Sequence, residues 1–330
     1  MTRLLSPKWL LGIGGLLVVL LIALPNYLVE LLWMNAVGYE AVFWKTLAYK
    51  VSLFVTAFVM VGAFFVANFR HLVQQLPPLW ASRFAQEGEA PQMGNVRLTR
   101  GHLRTVGYGF AAFLALTFAG SFAAQWESFL HFVNGADYGM ADPVFGNDVA
   151  FYMLRLPFVE ALQGTLVAVA VLALLVLATV YVLMGEMEVQ GGRLRVRPSV
   201  VRHLGLNGVL LLVGWAGGFF LDRYELLQSS SGATYGAGYT DLVARLPAFW
   251  VLLVATLALA GLLIYAVWRY RFRLLAYGAG AYALIFITGL LVVPSVVQSF
   301  AVKPNELERE QPYLERNIKY TREAFNLNKV

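Results

Sequence analysis

Asp142, Asn147 and Asp148, in the run Asp142-Pro143-Val144-Phe145-Gly146-Asn147-Asp148 with Asp137 just upstream, are the residues whose types and spacing could do chemistry. Hard oxygen ligands gathered in a glycine-bearing turn suit Ca2+, and a Ca2+ site is one reading of them, although the spacing is not that of an EF-hand loop. The more ordinary reading is a turn, because Asp and Asn side chains bond their own backbone. A second group, Asp222 and Glu225 beside Arg223, reads as a local ion pair.

Other chemistry has little to stand on. The histidines His71, His102, His131 and His203 are scattered, with no H-E-x-x-H, and three of them fall by span ends where interfacial solvation is the ordinary reading. Phosphate-loop, G-x-S-x-G and dinucleotide signatures are missing. Zero cysteines exclude disulfides, thiolate metal sites and cysteine nucleophiles. No catalytic residue is assigned, an enzyme is not expected, and Ca2+ is the one cofactor with a candidate site.

The elements that must position these residues are membrane spans. With 59% hydrophobic and 13% charged residues, the chain has too few charges for a water-soluble surface. Seven apolar stretches, at 10–33, 51–68, 106–124, 161–184, 206–221, 248–268 and 274–297, approach or exceed what is needed to cross a hydrocarbon core about 30 Å thick at about 1.5 Å per residue. The first lacks a signal-peptide cleavage site and resumes after Pro25-Asn26, so it reads as an uncleaved span kinked at Pro25. The fold class is all-α, a polytopic transmembrane bundle of about seven spans.

Orientation follows from the arginines. Arg70, Arg83, Arg97, Arg100 and Arg104 lie between the second and third spans, Arg193, Arg195, Arg197 and Arg202 between the fourth and fifth, and Arg269, Arg271 and Arg273 between the sixth and seventh. The alternate loops carry far fewer. By the positive-inside rule the N-terminus is cytoplasmic and the C-terminus extracytoplasmic. The net charge of +6 is therefore a topology signal that points to the lipid bilayer and not to nucleic acid. On the cytoplasmic side, 74–104 reads as a polar linker, and Gly191-Gly192 as a turn joining two short extended pieces. The outer loops 125–156 and 222–245 are rich in aromatics and glycine, and an amphipathic helix is expected around 127–133.

Inside the spans, no carboxylate or cation falls near a midpoint, which argues against a proton-driven carrier or an ion channel. Glycines are frequent instead: Gly12, Gly14 and Gly15 in the first span, Gly214 and Gly218 as a G-x-x-x-G in the fifth, and Gly278 and Gly280 in the seventh. Internal helix packing is the plainer reading of Gly214 and Gly218, and self-association the sharper one. No internal repeat stands out.

The outer motifs carry a resemblance. Trp33…Gly38-Tyr39…Val42-Phe43, Asp142…Phe145-Gly146-Asn147-Asp148-Val149-Ala150-Phe151-Tyr152…Leu156-Pro157-Phe158, Asp222-Arg223-Tyr224-Glu225-Leu226-Leu227, Tyr239-Thr240-Asp241 and Val302-Lys303-Pro304-Asn305-Glu306-Leu307 resemble the UPF0182 family, as does Pro312-Tyr313…Arg316-Asn317-Ile318…Thr321-Arg322. The resemblance implies a multi-span protein of the bacterial cytoplasmic (inner) membrane with no established activity. It also implies a large extracytoplasmic domain after the segment resembling 317–330. Residues 1–298 are accordingly read as the transmembrane domain and 299–330 as an extracytoplasmic tail at the start of such a domain.

The tail mixes Pro304 and Pro312 with close opposite charges, then offers a short amphipathic stretch. It has too little apolar area to be stable alone, so docking at the outer face is expected, with Tyr313, Ile318 and Phe325 as contact residues. Two functions follow from different classes: a scaffold or assembly subunit that presents a docking surface to other membrane or extracytoplasmic subunits, and a carrier or channel for an uncharged or lipid-like substrate. Cysteine scanning tests the threading in a chain that has none. Cysteines near Ser230 are expected to label from outside intact cells and those near Gly94 are not; the reverse pattern means an inverted topology.

Overall fold

The computed structural model describes residues 24–84, 92–93, 96–97, 100–183, 186–190, 193–230, 232 and 235–327, without side chains at 75–103 and 188–195. Most of the expected first span, with Gly12, Gly14 and Gly15, lies outside the described residues, as do Gly191 and Gly192. Among the described residues the chain is helical apart from its connecting loops, two short antiparallel hairpins and an isolated bridge between Ala141 and Asp148. Among the described residues, six helical runs are long and apolar enough to cross a membrane: Glu40–Gln74, Arg104–Ala123, Phe151–Leu183, Pro198–Gln228, Asp241–Arg269 and Phe272–Ala324. They match the second to seventh stretches read from the sequence.

Helix α1, over 24–36, ends at Gly38, whose φ of +82° lets the chain reverse. Its N–H donates to Asn35 O and the Tyr39 N–H to Met34 O at 2.8 Å, which satisfies carbonyls that the helix end leaves open. Helix α2 (Glu40–Phe84) follows and runs well into the stretch expected as a polar linker. Extending an existing helix adds a hydrogen bond per residue without a new nucleus, so polar composition alone does not stop it. The hairpin of β1 (Gln92–Met93) and β2 (Val96–Arg97) leads to α3 (Arg100–Ala123). Ala111, Ala115 and Ala119, one turn apart on α3, are fully buried, and a Cβ on Gly62 would lie 3.4 Å from that of Ala115. This stripe of small residues lets α2 and α3 approach closely.

A short helix, α4 (Trp126–Asn134), sits where the amphipathic stretch was expected. Helix α5 (Leu156–Leu183) then returns, its Val169 and Ala173 joining Val61, Phe65 and Phe69 of α2 with Ala111 and Leu114 of α3 in one core. β3 (Met187–Gln190) pairs with β4 (Arg193–Val196) as the glycine pair implied. α6 (Pro198–Glu225) opens on a proline, whose missing N–H is no loss at a helix start. α7 (Leu246–Arg269) and α8 (Phe272–Ile287) meet at Tyr270, in the left-handed region with φ +54°. The last helix continues through α9 (Val293–Val296) into α10 (Glu306–Ala324), so the tail is a helix of 19 residues extending the final span, longer than the short one expected.

A pattern missed in the sequence links α5 and α7. Each is preceded by a π-helical turn, Phe151–Arg155 and Asp241–Arg245, that delivers Arg-Leu-Pro: Arg155-Leu156-Pro157 and Arg245-Leu246-Pro247. Proline lacks the N–H of a regular turn and its ring crowds the carbonyl four residues back; the wider turn relieves both. The turn Thr288–Val292 before Val293-Pro294 repeats the device.

The bundle core is not wholly apolar. His203, expected in interfacial solvent, is buried, because α6 turns it inward against α2 and α5. Its Nδ1 pairs with the Tyr181 hydroxyl and its Nε2 with Asn68 Oδ1, both at 2.8 Å. Asn207 donates to the same Asn68 oxygen and to His203 O, and Asn68 donates to Phe64 O. These bonds are consistent with a neutral imidazole carrying its proton on Nε2. Asn68→Leu removes the shared acceptor and strands two donors, at a cost of about 1–3 kcal/mol, whereas Tyr181→Phe removes one bond for about 1 kcal/mol. Unfolding in detergent is expected to rank the variants in that order, and an Asn68→Leu protein as stable as wild type overturns this account of the core.

Candidate functional site

Helix ends collect the loops on two sides. At the hairpin end are the two β-hairpins and Tyr270. Opposite lies the loop end, where 135–150, 229–241 and α10 meet.

The first segment folds on two carboxylates. Asp142 Oδ1 accepts from the N–H groups of Val144 and Phe145, each at 2.7 Å, while Oδ2 accepts from the Asn147 N–H and the Tyr152 hydroxyl. Those four bonds match the roughly four lone-pair sites of a carboxylate. Asp148 accepts from the N–H groups of Tyr138, Gly139 and Ala150. Gly146, at φ +72°, closes the turn by donating to Asp142 O. The Asn147 side chain donates to the Tyr152 hydroxyl. The sequence-predicted trio is thus brought together, and the Asp142 and Asp148 oxygens serve the chain's own backbone and the Tyr152 hydroxyl. Among the described residues no group of three His, Cys, Asp or Glu side chains is arranged to hold a metal ion. The geometry supports the turn reading of Asp142, Asn147 and Asp148.

An aromatic layer seats this loop on the bundle. Phe145, Phe151 and Tyr152 pack edge-on around Tyr224, with centroids 5.1, 5.2 and 5.8 Å away. Beneath them lies Arg223, 7% exposed, its guanidinium 4.0 Å from the Phe220 ring and 4.2 Å from that of Trp250. The ion pair expected with Asp222 or Glu225 is not formed, because residues one and two apart on a helix point to different faces. Arg223 Nε donates to Phe220 O, and the rings supply the remaining attraction.

The second segment starts α7. Asp241 is fully buried, accepts from the Gly238 N–H and pairs with Arg245 at 2.8 Å. The Thr240 hydroxyl donates to Gln298 on the final helix. Helix α10 completes the arrangement: Glu310, 3% exposed, accepts the Tyr239 N–H at 3.1–3.2 Å. It thereby places a carboxylate at a helix N-terminus, where free N–H groups and the helix dipole favour negative charge. A Cβ at Gly238 would lie 3.1 Å from Glu310 Oε2, so the glycine makes room for the cap. Asn317 donates to Tyr235 O and the Tyr320 hydroxyl to Ala141 O, joining all three segments. They surround a cleft of about 160 Å³ lined by Pro143, Val144, Tyr235, Tyr313, Arg316 and Tyr320.

Of the residues expected to dock the tail, Tyr313 packs edge-on against Tyr239. Ile318 and Phe325 do not join that contact and are 52% and 74% exposed. Glu310, Tyr313, Asn317 and Tyr320 follow helical spacing along one side of α10, and it is this polar and aromatic side that binds the body. That spacing was legible, but the apolar residues were the ones picked out. Gly214 and Gly218 face α5: a Cβ on Gly214 would meet Leu166 at 2.8 Å, and Gln163 donates to Gly214 O at 2.9 Å. Packing within the chain occupies this G-x-x-x-G.

These features define a helical protein with six described runs long and apolar enough to cross a membrane and a clamped polar and aromatic cap at one end. The chain belongs to the uncharacterised protein family UPF0182, whose model matches residues 8–330. It is 48% identical to a UPF0182 protein of Salinibacter ruber over 96% of this chain and 33% of that one. Identity to UPF0182 proteins of Bradyrhizobium diazoefficiens and Trichodesmium erythraeum is 34% and 32%, over 96% and 93% of this chain and 35% and 33% of theirs. The chain spans about a third of the length of these curated relatives. No solved structure matches it.

Acid response tests the carboxylate turn. The N–H groups of Tyr138 and Ala150, followed by that of Gly139 and the charge of Arg155, hold the Asp148 carboxyl below the usual carboxylate range. A depressed folded-state pKa gives stability that is complete above the unfolded value of about 3.9 and is lost as pH falls through the folded one. Protease access to 135–150 is expected to stay constant from pH 7 to pH 5 and to rise only below about 4. Access that climbs between pH 7 and pH 5 excludes this role for Asp148.

Proposed function

We propose that the chain is a membrane scaffold that presents its loop end to another membrane or extracytoplasmic subunit. The supporting observation is the two-sided character of α10. Its Glu310, Tyr313, Asn317 and Tyr320 side is fixed to the body, while Leu307, Ile318 and Phe325, spaced by eleven and seven residues, form an apolar row left exposed. A rigidly held helix with an uncovered apolar row is a preorganised docking element.

In this proposal seven spans cross the bacterial inner membrane, with the N-terminus cytoplasmic and α10 extracytoplasmic. The arginine-rich connections all gather at the hairpin end, which supports that orientation. The Asp142, Asp241 and Glu310 carboxylates are bonded to backbone N–H groups, an arrangement that suits a structural cap better than acid–base chemistry.

Photo-crosslinking amino acids at Ile318 and Phe325 are expected to give adducts with a partner subunit, and one at Tyr239 only products within the chain. Glu310→Ala frees the helix N-terminus and is expected to lower thermal stability in detergent together with partner recovery. Unchanged stability and unchanged partner recovery on deletion of 304–330 would remove the support for a scaffold.

A further inference from the structure

The cleft at the loop end has a size and a charge of its own. Its volume of about 160 Å³ is roughly five times the share of one water molecule in the liquid. It falls short of the roughly 300 Å³ at which small-molecule sites begin. That space suits one amino-acid side chain.

Tyr235, Tyr313 and Tyr320 line the cleft together with Pro143 and Val144, and Arg316 is part of the lining itself. The guanidinium carbon of Arg316 lies 5.5 Å from the centroid of the Tyr313 ring, which holds the charge at the cleft. A second cation stands beside it, with Lys319 Nζ 6.0 Å from the centroid of Tyr320. No carboxylate lines the cleft, and among the described residues Arg316 forms no ion pair. Nearby acids are committed elsewhere: Asp142 accepts its four bonds, Glu310 accepts the Tyr239 N–H, and Glu315 accepts from Gln311.

The pattern is written along α10. Glu308-Arg309 and Glu315-Arg316 repeat at a spacing of seven residues, so both arginines share one side of the helix and both carboxylates point about 100° away. Arg309 lies over Tyr239 at 5.5 Å as Arg316 does over Tyr313. The arginines and the apolar row of Leu307, Ile318 and Phe325 flank the body-facing side of α10 on its two edges, so one partner laid over the helix meets both.

Protein interfaces concentrate Tyr and Arg, and their strongest contacts are side chains that fill pockets of this kind. The planar fork of Arg matches a carboxylate with two parallel hydrogen bonds. A free phosphate gains little from an aromatic wall, whereas the methylene stem of an acidic side chain packs on it.

We propose that this cleft is the seat for a glutamate or aspartate side chain of the docking subunit, with its carboxylate on Arg316 and its stem among Tyr235, Tyr313 and Tyr320. The seat rests on the scaffold reading for its partner and adds the charge that this partner must carry.

The test uses the purified full chain in detergent, with a displayed library of random short peptides as probe and fluorescence polarisation of the selected peptides as readout. Wild-type protein is expected to enrich peptides with an acidic residue at a fixed position. Replacing that residue by its amide should weaken binding roughly tenfold, as expected for one charge-assisted pair. Arg316→Gln should weaken the acidic peptide by a similar factor, and Arg316→Glu should turn the selection toward basic peptides. Arg309→Gln, on the same side of α10 but outside the lining, should change it by no more than about twofold. Tyr235→Ala keeps the backbone oxygen that Asn317 bonds, removes one wall, and should weaken the peptide several-fold. Arg316 is exposed and takes no part in the hydrogen bonds that fix α10, so its variants are expected to melt with the wild type.

Peptides selected without an acidic preference, a preference that survives Arg316→Gln, or an equal loss in Arg309→Gln overturns the seat. Displacement of the peptide by inorganic phosphate or by phosphatidylglycerol, dependent on Arg316, makes the ligand a phosphate and overturns it too. Adducts at Ile318 and Phe325 without an acidic preference remove the seat and leave the scaffold, whereas an acidic preference without adducts removes the scaffold and leaves a site for an acidic peptide.

Discussion

Backbone N–H groups at helix starts must find acceptors wherever water is scarce, and this constraint shapes the loop end. Asp148 accepts from Ala150 at the start of the helix that becomes α5, and Glu310 accepts from Tyr239 at the start of the one that becomes α7. Asp241 holds the Gly238 N–H one step earlier. Because Glu310 comes from the distant end of the chain, meeting this local need also fixes α10 to the body. The cap is thus an outcome of backbone satisfaction, and the surface it exposes is what remains after those bonds are made.

Close approach of helices is the second determinant. Lipid tails are as apolar as leucine, so spans associate through packing and internal polar contacts more than through exclusion of water. Here the small residues do this at two seams, Ala111, Ala115 and Ala119 between α3 and α2, and Gly214 and Gly218 between α6 and α5. The Asn68, Tyr181, His203 and Asn207 network pins α2, α5 and α6 near the hairpin end. The two ends of the bundle therefore differ in kind. One is fixed chiefly by side chains that bond backbone, the other by side chains that bond one another.

The proline positions explain how long spans and ordered loops coexist. At Pro157, Pro247 and Pro294 the preceding turn widens and the helix continues. At those three positions proline within an apolar run is therefore no boundary. The repeated Arg-Leu-Pro gives α5 and α7 the same entry, with Arg155 turned to Asp137 and Arg245 to Asp241.

By itself the sequence determined the all-helical class, the six long apolar runs of the described residues, the turn at Asp142 to Asp148 and the family. Each rests on local signals: hydropathy sustained over a span, Asx residues beside glycine and proline, and motifs in order along the chain. Only the tertiary structure decided that His203 is buried, that Arg223 lies among rings instead of pairing with Asp222, and that Glu310 rather than Ile318 or Phe325 holds the tail. Those outcomes depend on which helix faces meet. A helix places its side chains around a full circle, and hydropathy alone does not say which part of that circle a neighbour covers.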